Sequence, residues 1–230
     1  MSCVVGRGDG TLIDPAALIA EYLKRPTSLT FDTLLGVVCG EFASRLGVPP
    51  PHFLGPVAGG PLAPEWLRDC IGASGPEEWA WALSSVVPGP AARERGAVST
   101  LPSLARLMCR LAIEEYGPLD AAVSIVDPAV GGGAFVLAMA SELAGDEGDL
   151  RSWAIERVRG VDLDESCVQA AMASAWLWSL AGWSGAGKWE PPRARIFAGD
   201  SLLEGDEWWA SGPGRPGTFD ILVANPPYVR

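Results

Sequence analysis

The spacing of apolar and polar positions changes character near residue 100, dividing the chain into two predicted regions. Through residue 87 the pattern is helical. Asp14 stands as an N-cap before Pro15, a residue suited to the first helical position, and a short helix is predicted through Leu23. Over residues 31–46, Leu34, Leu35, Val38, Phe42 and Leu46 recur on one face, and Gly47 is placed to end that helix. Residues 49–64, rich in proline and glycine, read as a loop. Residues 77–87 form a further amphipathic segment with Trp79 and Trp81. Together these predict a helical cap or bundle over residues 1–90, without visible chemistry, and a linker at 88–95.

Beyond Thr100 helices alternate with strands. Leu101, Leu104, Leu107, Met108 and Leu111 make a helical stripe that ends near Gly117. An apolar run at 122–126 leads through a glycine loop into a helix over about 134–144. A second strand at 158–161 leads through acidic residues into a helix at about 165–180. A third strand is predicted at 194–197. A fourth, at 219–224, is apolar enough to be a central strand covered on both sides. This alternation predicts an α/β domain over residues 91–230, a doubly wound and mostly parallel sheet of Rossmann-like form. Such sheets bind ligands beyond the carboxyl ends of their strands. No internal repeat is visible, and the loops at 184–192 and 205–218 suggest no function.

Composition narrows the function classes. Nearly half of the 230 residues are apolar, enough for a substantial core. The five cysteines are scattered with no Cys-x-x-Cys pair, and His52 is the only histidine. Both facts argue against a zinc site or a disulfide framework and fit a reducing cytoplasm. Residues 1–10 lack the apolar core of a secretory signal. The most apolar stretch, 121–140, is broken by Asp127, Pro128 and three glycines, so no membrane span is expected. The net charge is −11, with 12 acids against 9 bases in residues 1–119 and 16 against 8 in residues 120–230. A surface that grips nucleic acid is basic. If DNA is bound, the gripping surface lies mainly outside this chain.

Every candidate for chemistry falls at a predicted strand end. Asp127-Pro-Ala129-Val-Gly131-Gly-Gly133-Ala-Phe135 follows the first strand and opens a helix. Glycines there let backbone approach a ligand, and the helix N-terminus offers free N–H groups to an anion. The same residues also suit a purely structural tight turn. Val136 stands where a dinucleotide fingerprint needs its third glycine, which argues against that class. Asp162, after the second strand, is placed to accept ribose hydroxyls, and Asp164 to cap the next helix. Asp200, after the third strand, is placed to accept from an adenine amino group; solvated loop carboxylates are equally ordinary.

Asn225-Pro226-Pro227-Tyr228, directly after the fourth strand, is the most specific signal, with chance odds on the order of one in a thousand for a chain of this length. Two prolines stiffen the turn and remove backbone donors. The Asn225 side-chain oxygen and the Pro226 carbonyl would then accept from a planar amine and steady the positive charge it develops on attacking an electrophilic carbon. Tyr228 offers a face for stacking. A turn that merely ends a strand is the bland alternative. No general base is required, because a neutral aromatic amine can attack first and lose its proton afterwards.

In this order the segments resemble the amino-methyltransferase motifs of the gamma group of DNA adenine-N6 methyltransferases, especially fused type IIG restriction–modification enzymes. The segment from Gly96 to Met108 is similar to that family's opening motif and helix, with Val98-Ser99 replacing a tyrosine pair and Leu101 replacing a proline. The resemblance covers residues 96–230. It implies a class I methyltransferase fold using S-adenosylmethionine, acting on DNA in a restriction–modification or phage-defence system, with the target base flipped out of the duplex. It further implies that Thr100 contacts the methionine part of the cofactor, and that Asp127, Ala129, Gly131, Gly133 and Phe135 line its pocket. Asp162 would hold the ribose and Asp200 the adenine, and Asn225, Pro226, Pro227 and Tyr228 would be catalytic. No metal is implied.

Two other readings remain. Release-factor glutamine methyltransferases share a helical N-terminal region, the fold and the Asn-Pro-Pro-Tyr motif, and an acidic surface suits a protein substrate. The sheet is also expected to be incomplete, because both families continue with further strands. On that reading the chain is a cofactor-binding fragment or half of a split enzyme, partnered by a C-terminal half or recognition subunit.

Overall fold

The computed structural model describes residues 5–6, 12–22, 30–54, 65–86, 96–119, 123–202 and 219–227. The predicted linker at 88–95, most of the loop at 49–64, the loop at 205–218, Leu23 and Tyr228 lie outside the described residues. The chain is α/β, with four strands in one all-parallel sheet.

Helix α1 (Pro15–Tyr22) starts as expected, with the Asp14 carboxylate accepting from the Ala16 N–H at 3.1 Å. Helix α2 (Phe31–Leu46) is capped by Thr30, which accepts from the Thr33 N–H, and ends at Gly47, whose φ of 66° is left-handed. Helix α3 (Glu65–Ala73) was not anticipated; it buries Leu67, Cys70 and Ile71. Helix α4 (Pro76–Ser84) begins with proline at its first position and buries Trp79 completely. Ahead of these helices, β1 (Val5–Gly6) and β2 (Leu12–Ile13) form a short antiparallel pair that the helical reading of this region missed.

Helix α5 (Pro102–Tyr116) corrects the expected leucine stripe. Its buried residues are Ala105 and Cys109, while Leu101, Leu104, Leu107 and Leu111 are exposed. Small residues form the inner face because α5 lies close along α6 (Ala134–Ala144).

Strand β3 (Ile125–Asp127) feeds α6, and α7 (Arg151–Ile155) precedes β4 (Val158–Asp162). Helix α8 (Glu165–Ala181), capped by Asp164 as expected, leads towards β5 (Arg195–Ala198), and β6 (Ile221–Leu222) follows. The sheet order is β5-β4-β3-β6. Successive crossovers from β3 to β4 and from β4 to β5 step in one direction. Right-handed crossovers in one direction place both helices on one face, and α6 and α8 do pack on each other. The expected winding over both faces is therefore not seen among the described residues. The fourth strand spans two residues and pairs only with β3 among the described residues; Leu222 is 62 % exposed, so the described residues do not supply the cover on both sides that its apolar run calls for.

The N-terminal helices share the core of the α/β region. One buried cluster runs from Leu18 and Ile19 through Trp79 and Leu137 to Trp178 and Val223. Helix α8 has β4 and β5 beneath it and α2 and α4 above it, and twelve of its residues are buried. Arg151 ties the layers at one end, reaching Glu77 of α4 at 2.8 Å, the Trp178 carbonyl at 3.2 Å and the Trp178 ring at 4.7 Å. Truncating Trp79 to alanine is expected to cost about 3–5 kcal/mol. Chemical denaturation should show one transition moving as a whole. Loss confined to a separate first transition would mean that the helical layer folds independently.

Candidate active site

The order β5-β4-β3-β6 reverses at β3: the chain leaves β3 towards β4, whereas β6 lies on the other side. A crevice opens at the carboxyl ends of strands where such a reversal occurs. The end of β3 is Asp127, and Asn225 follows β6 from the other side of the reversal.

Asp127 is 1 % exposed. Its Oδ1 accepts from the Ala129 N–H at 3.0 Å, which forms the turn, but its buried Oδ2 meets no hydrogen-bond partner. Burial pushes the Asp127 carboxyl up to about 7; the Ala129 N–H opposes this and the charge of Asp162 adds to it. The loop then runs through Gly131, at φ 50°, whose N–H donates to Asp162 Oδ2 at 2.9 Å. Asp162 Oδ1 accepts from the Asp164 N–H at 2.9 Å. The second acidic candidate is thus locked to the glycine loop of the first. Gly133, at φ 98°, precedes α6 and gives it no side-chain cap, so the first-turn N–H groups of α6 have no partner within the helix itself.

Two glycines here are required by contact, Gly132 and Gly160, and Gly133 by its left-handed φ together with a tight neighbour. A Cβ on Gly132 would stand 2.7 Å from the carbonyl oxygens of Leu83 and Ser84, at the end of α4. One on Gly133 would stand 3.1 Å from the Ala171 Cα of α8, and one on Gly160 would strike Val130. The loop is therefore clamped between the sheet, α8 and the N-terminal layer.

Asn225 and Thr100, 125 residues apart, meet: the Asn225 Nδ2 donates to the Thr100 Oγ1 at 3.2 Å. Thr100 is 9 % exposed, Asn225 is half-buried, and Pro226 and Pro227 are exposed. Tyr228 falls outside the described residues. Asp200, half-buried beyond β5, accepts from the Leu202 N–H, and the neighbouring Gly199 N–H joins it to the end of β4 through the Asp162 carbonyl at 2.9 Å. Phe135 is 2 % exposed and belongs to the buried core cluster at the start of α6.

Sequence reasoning overlooked the residue that anchors the strand carrying Asn225. Asp220 accepts at one carboxylate oxygen from both the backbone N–H and the hydroxyl of Ser124, each at 2.8 Å. These bonds hold its carboxyl below the usual range. An aspartate immediately before an apolar run was the only signal, and its partner lies 96 residues away. Among the cysteines, burial pushes Cys39 up, and burial with Asp127 and Glu142 nearby pushes Cys109 to about 12, so neither supplies a thiolate at neutral pH.

A cavity of about 190 Å³ lies elsewhere, near the amino end of β5, between His52, Trp176 and Pro192; none of the candidate residues lines it. Among the described residues no group of His, Cys, Asp or Glu side chains could hold a metal ion, and no helix is long and apolar enough to cross a membrane. Comparison with known proteins finds no matching family model and no matching curated relative.

Asp127 sets a pH dependence. Its folded pKa exceeds the unfolded value, so the folded state binds the extra proton. Stability should fall as pH rises from about 4 to about 7 and stay lowered above that window. Asp127→Asn removes the buried charge but leaves an unpaired amide. It should be more stable than the wild type at pH 8 by about 1–3 kcal/mol and show no such slope. Denaturation midpoints across pH 5 to 8, taken at intervals of about one unit, measure both.

Proposed function

We propose that the chain is the cofactor-binding part of a DNA methyltransferase that transfers a methyl group from S-adenosylmethionine to the N6 amino group of adenine. The observation that carries this reading is that the Asp127 glycine loop and Asn225 follow the neighbouring strands β3 and β6 at the reversal of the sheet, with Thr100 joined to Asn225.

The residues present fit the methionine end of that cofactor, which is a zwitterion. The uncapped N-terminus of α6 suits its carboxylate, and the unpartnered buried oxygen of Asp127 suits its ammonium. Asp162, held by two backbone N–H groups, is assigned the ribose on this reading, and Asp200, which accepts from the Leu202 N–H, the adenine. The bound cofactor supplies an electrophilic methyl. The protein's part is orientation: the Asn225 side-chain oxygen and the Pro226 carbonyl hold the target amine and balance its growing positive charge. Tyr228 is assigned the stacking of the flipped base.

With a net charge of −11, the chain leaves most phosphate contacts to other regions. The edge of β6, unpaired on one side among the described residues, the exposed Leu222, and the exposed Leu104, Leu107 and Leu111 of the adjoining α5 offer an apolar surface to a C-terminal half or recognition subunit.

Calorimetric titration with S-adenosylmethionine should show binding that Asp127→Asn weakens by at least about tenfold. In a transfer assay, adenine-containing DNA should accept methyl, and Asn225→Ala should slow transfer on the order of 10²- to 10³-fold. Methylation of a Gly-Gly-Gln peptide in place of DNA would move the function to the release-factor class, which the acidic charge would suit.

A further inference from the structure

The resemblance assigns Thr100 to the cofactor, and in the structure its hydroxyl also contacts Asn225. The Thr100 Oγ1 accepts from the Asn225 Nδ2 at 3.2 Å, and Thr100 is 9 % exposed. From this contact we infer that Thr100 is a positioning residue for Asn225, an inference that rests on the methyltransferase reading above.

A primary amide has two ends of nearly equal size and opposite hydrogen-bonding character. Only the oxygen end can hold an amine that carries two hydrogens; turned the other way, the amide would oppose donor to donor. Nothing in the steric shape of Asn225 selects between the two orientations. In this structure the Thr100 hydroxyl takes the nitrogen end, accepting from Nδ2 at 3.2 Å, so Oδ1 is the end turned away from Thr100. The bond is worth most where the rest of the residue is already rigid. Asn225 precedes Pro226, which confines its backbone to the extended region. Its strand is pinned by the Ser124–Asp220 contacts.

Thr100 is itself held in place. Leu101 has an extended backbone, with φ −63° and ψ 137°, and Pro102 opens α5. Ala105 and Cys109 fasten that helix to the core. The amide orientation is thus referred through α5 to the same core that carries the glycine loop. Acceptor and loop stay in register without a direct bond between them.

Thr100→Val keeps the shape and removes the acceptor, and Thr100→Ser restores it. Nuclear magnetic resonance of the whole chain reads the side-chain NH2 of Asn225, identified by its loss in Asn225→Asp. The wild type and Thr100→Ser should show this NH2 protected from solvent exchange and close to the residue-100 side chain. In Thr100→Val, exchange should quicken by about tenfold or more, while the Kd for S-adenosylmethionine moves by less than about threefold. A Kd raised about tenfold or more in Thr100→Val, with the Asn225 NH2 still protected, would overturn the inference and return Thr100 to the cofactor. An NH2 equally protected in all three proteins, with Kd unmoved, would also overturn it. A wild type that binds no cofactor would instead overturn the methyltransferase reading on which the inference rests.

Discussion

The burial of α8 on every side is the constraint from which the rest of the arrangement follows. A helix carrying Cys167, Val168, Trp176, Leu177, Trp178 and Leu180 on successive faces cannot lie at a surface. It needs a layer on each side. The sheet supplies one, and α2 and α4 supply the other. This accounts for the helical region that shows no chemistry of its own. Without it, α8 would expose a tryptophan-rich face, and the glycine loop would lose the carbonyl wall at Leu83 and Ser84 against which Gly132 rests. The core and the candidate site therefore depend on the same packing.

Topology then decides where chemistry can occur. Two crossovers in one direction place α6 and α8 side by side on one face, and the sheet reverses only between β3 and β6. The strand ends flanking that reversal carry the buried carboxylate of Asp127 on one side and the proline-stiffened Asn225 on the other. Residues distant in sequence reach neighbouring strand ends because their strands flank the switch point and not because they share an element.

The legible part of this was local. Apolar runs ending in aspartate or glycine located β3, β4 and β5 to within a few residues, and Asp14, Asp164 and Gly47 sit at helix boundaries for capping reasons readable residue by residue. What could not be read depended on distant partners. Periodicity identified the leucine face of α5 but not that Ala105 and Cys109, small enough for close approach to α6, were the covered side. The spacing of Leu67, Cys70 and Ile71 carried α3, yet the proline- and glycine-rich segment before it obscured a helix of nine residues. The tie from Ser124 to Asp220 spans 96 residues and leaves no periodic trace. The apolar character of the fourth strand implied cover on both sides, whereas β6 pairs only with β3 among the described residues.

Electrostatics narrows what the glycine loop can hold. A phosphate cradle keeps its backbone N–H groups for the ligand and carries no acid beneath them. In this loop the Gly131 N–H is already bonded to the Asp162 carboxylate, and Asp127 lies buried under the turn with one oxygen unpaired. Two carboxylates so close raise the cost of ionising the buried one, and a second anion of high charge would raise it further. A cation beside Asp127 reverses the sign of that term, turning a buried charge that opposes folding into one that favours binding. The cofactor proposed above meets that condition, because its positive charge enters along with its negative one. That is the property which separates an amino-acid-bearing nucleoside from a dinucleotide at an otherwise similar place in a parallel sheet.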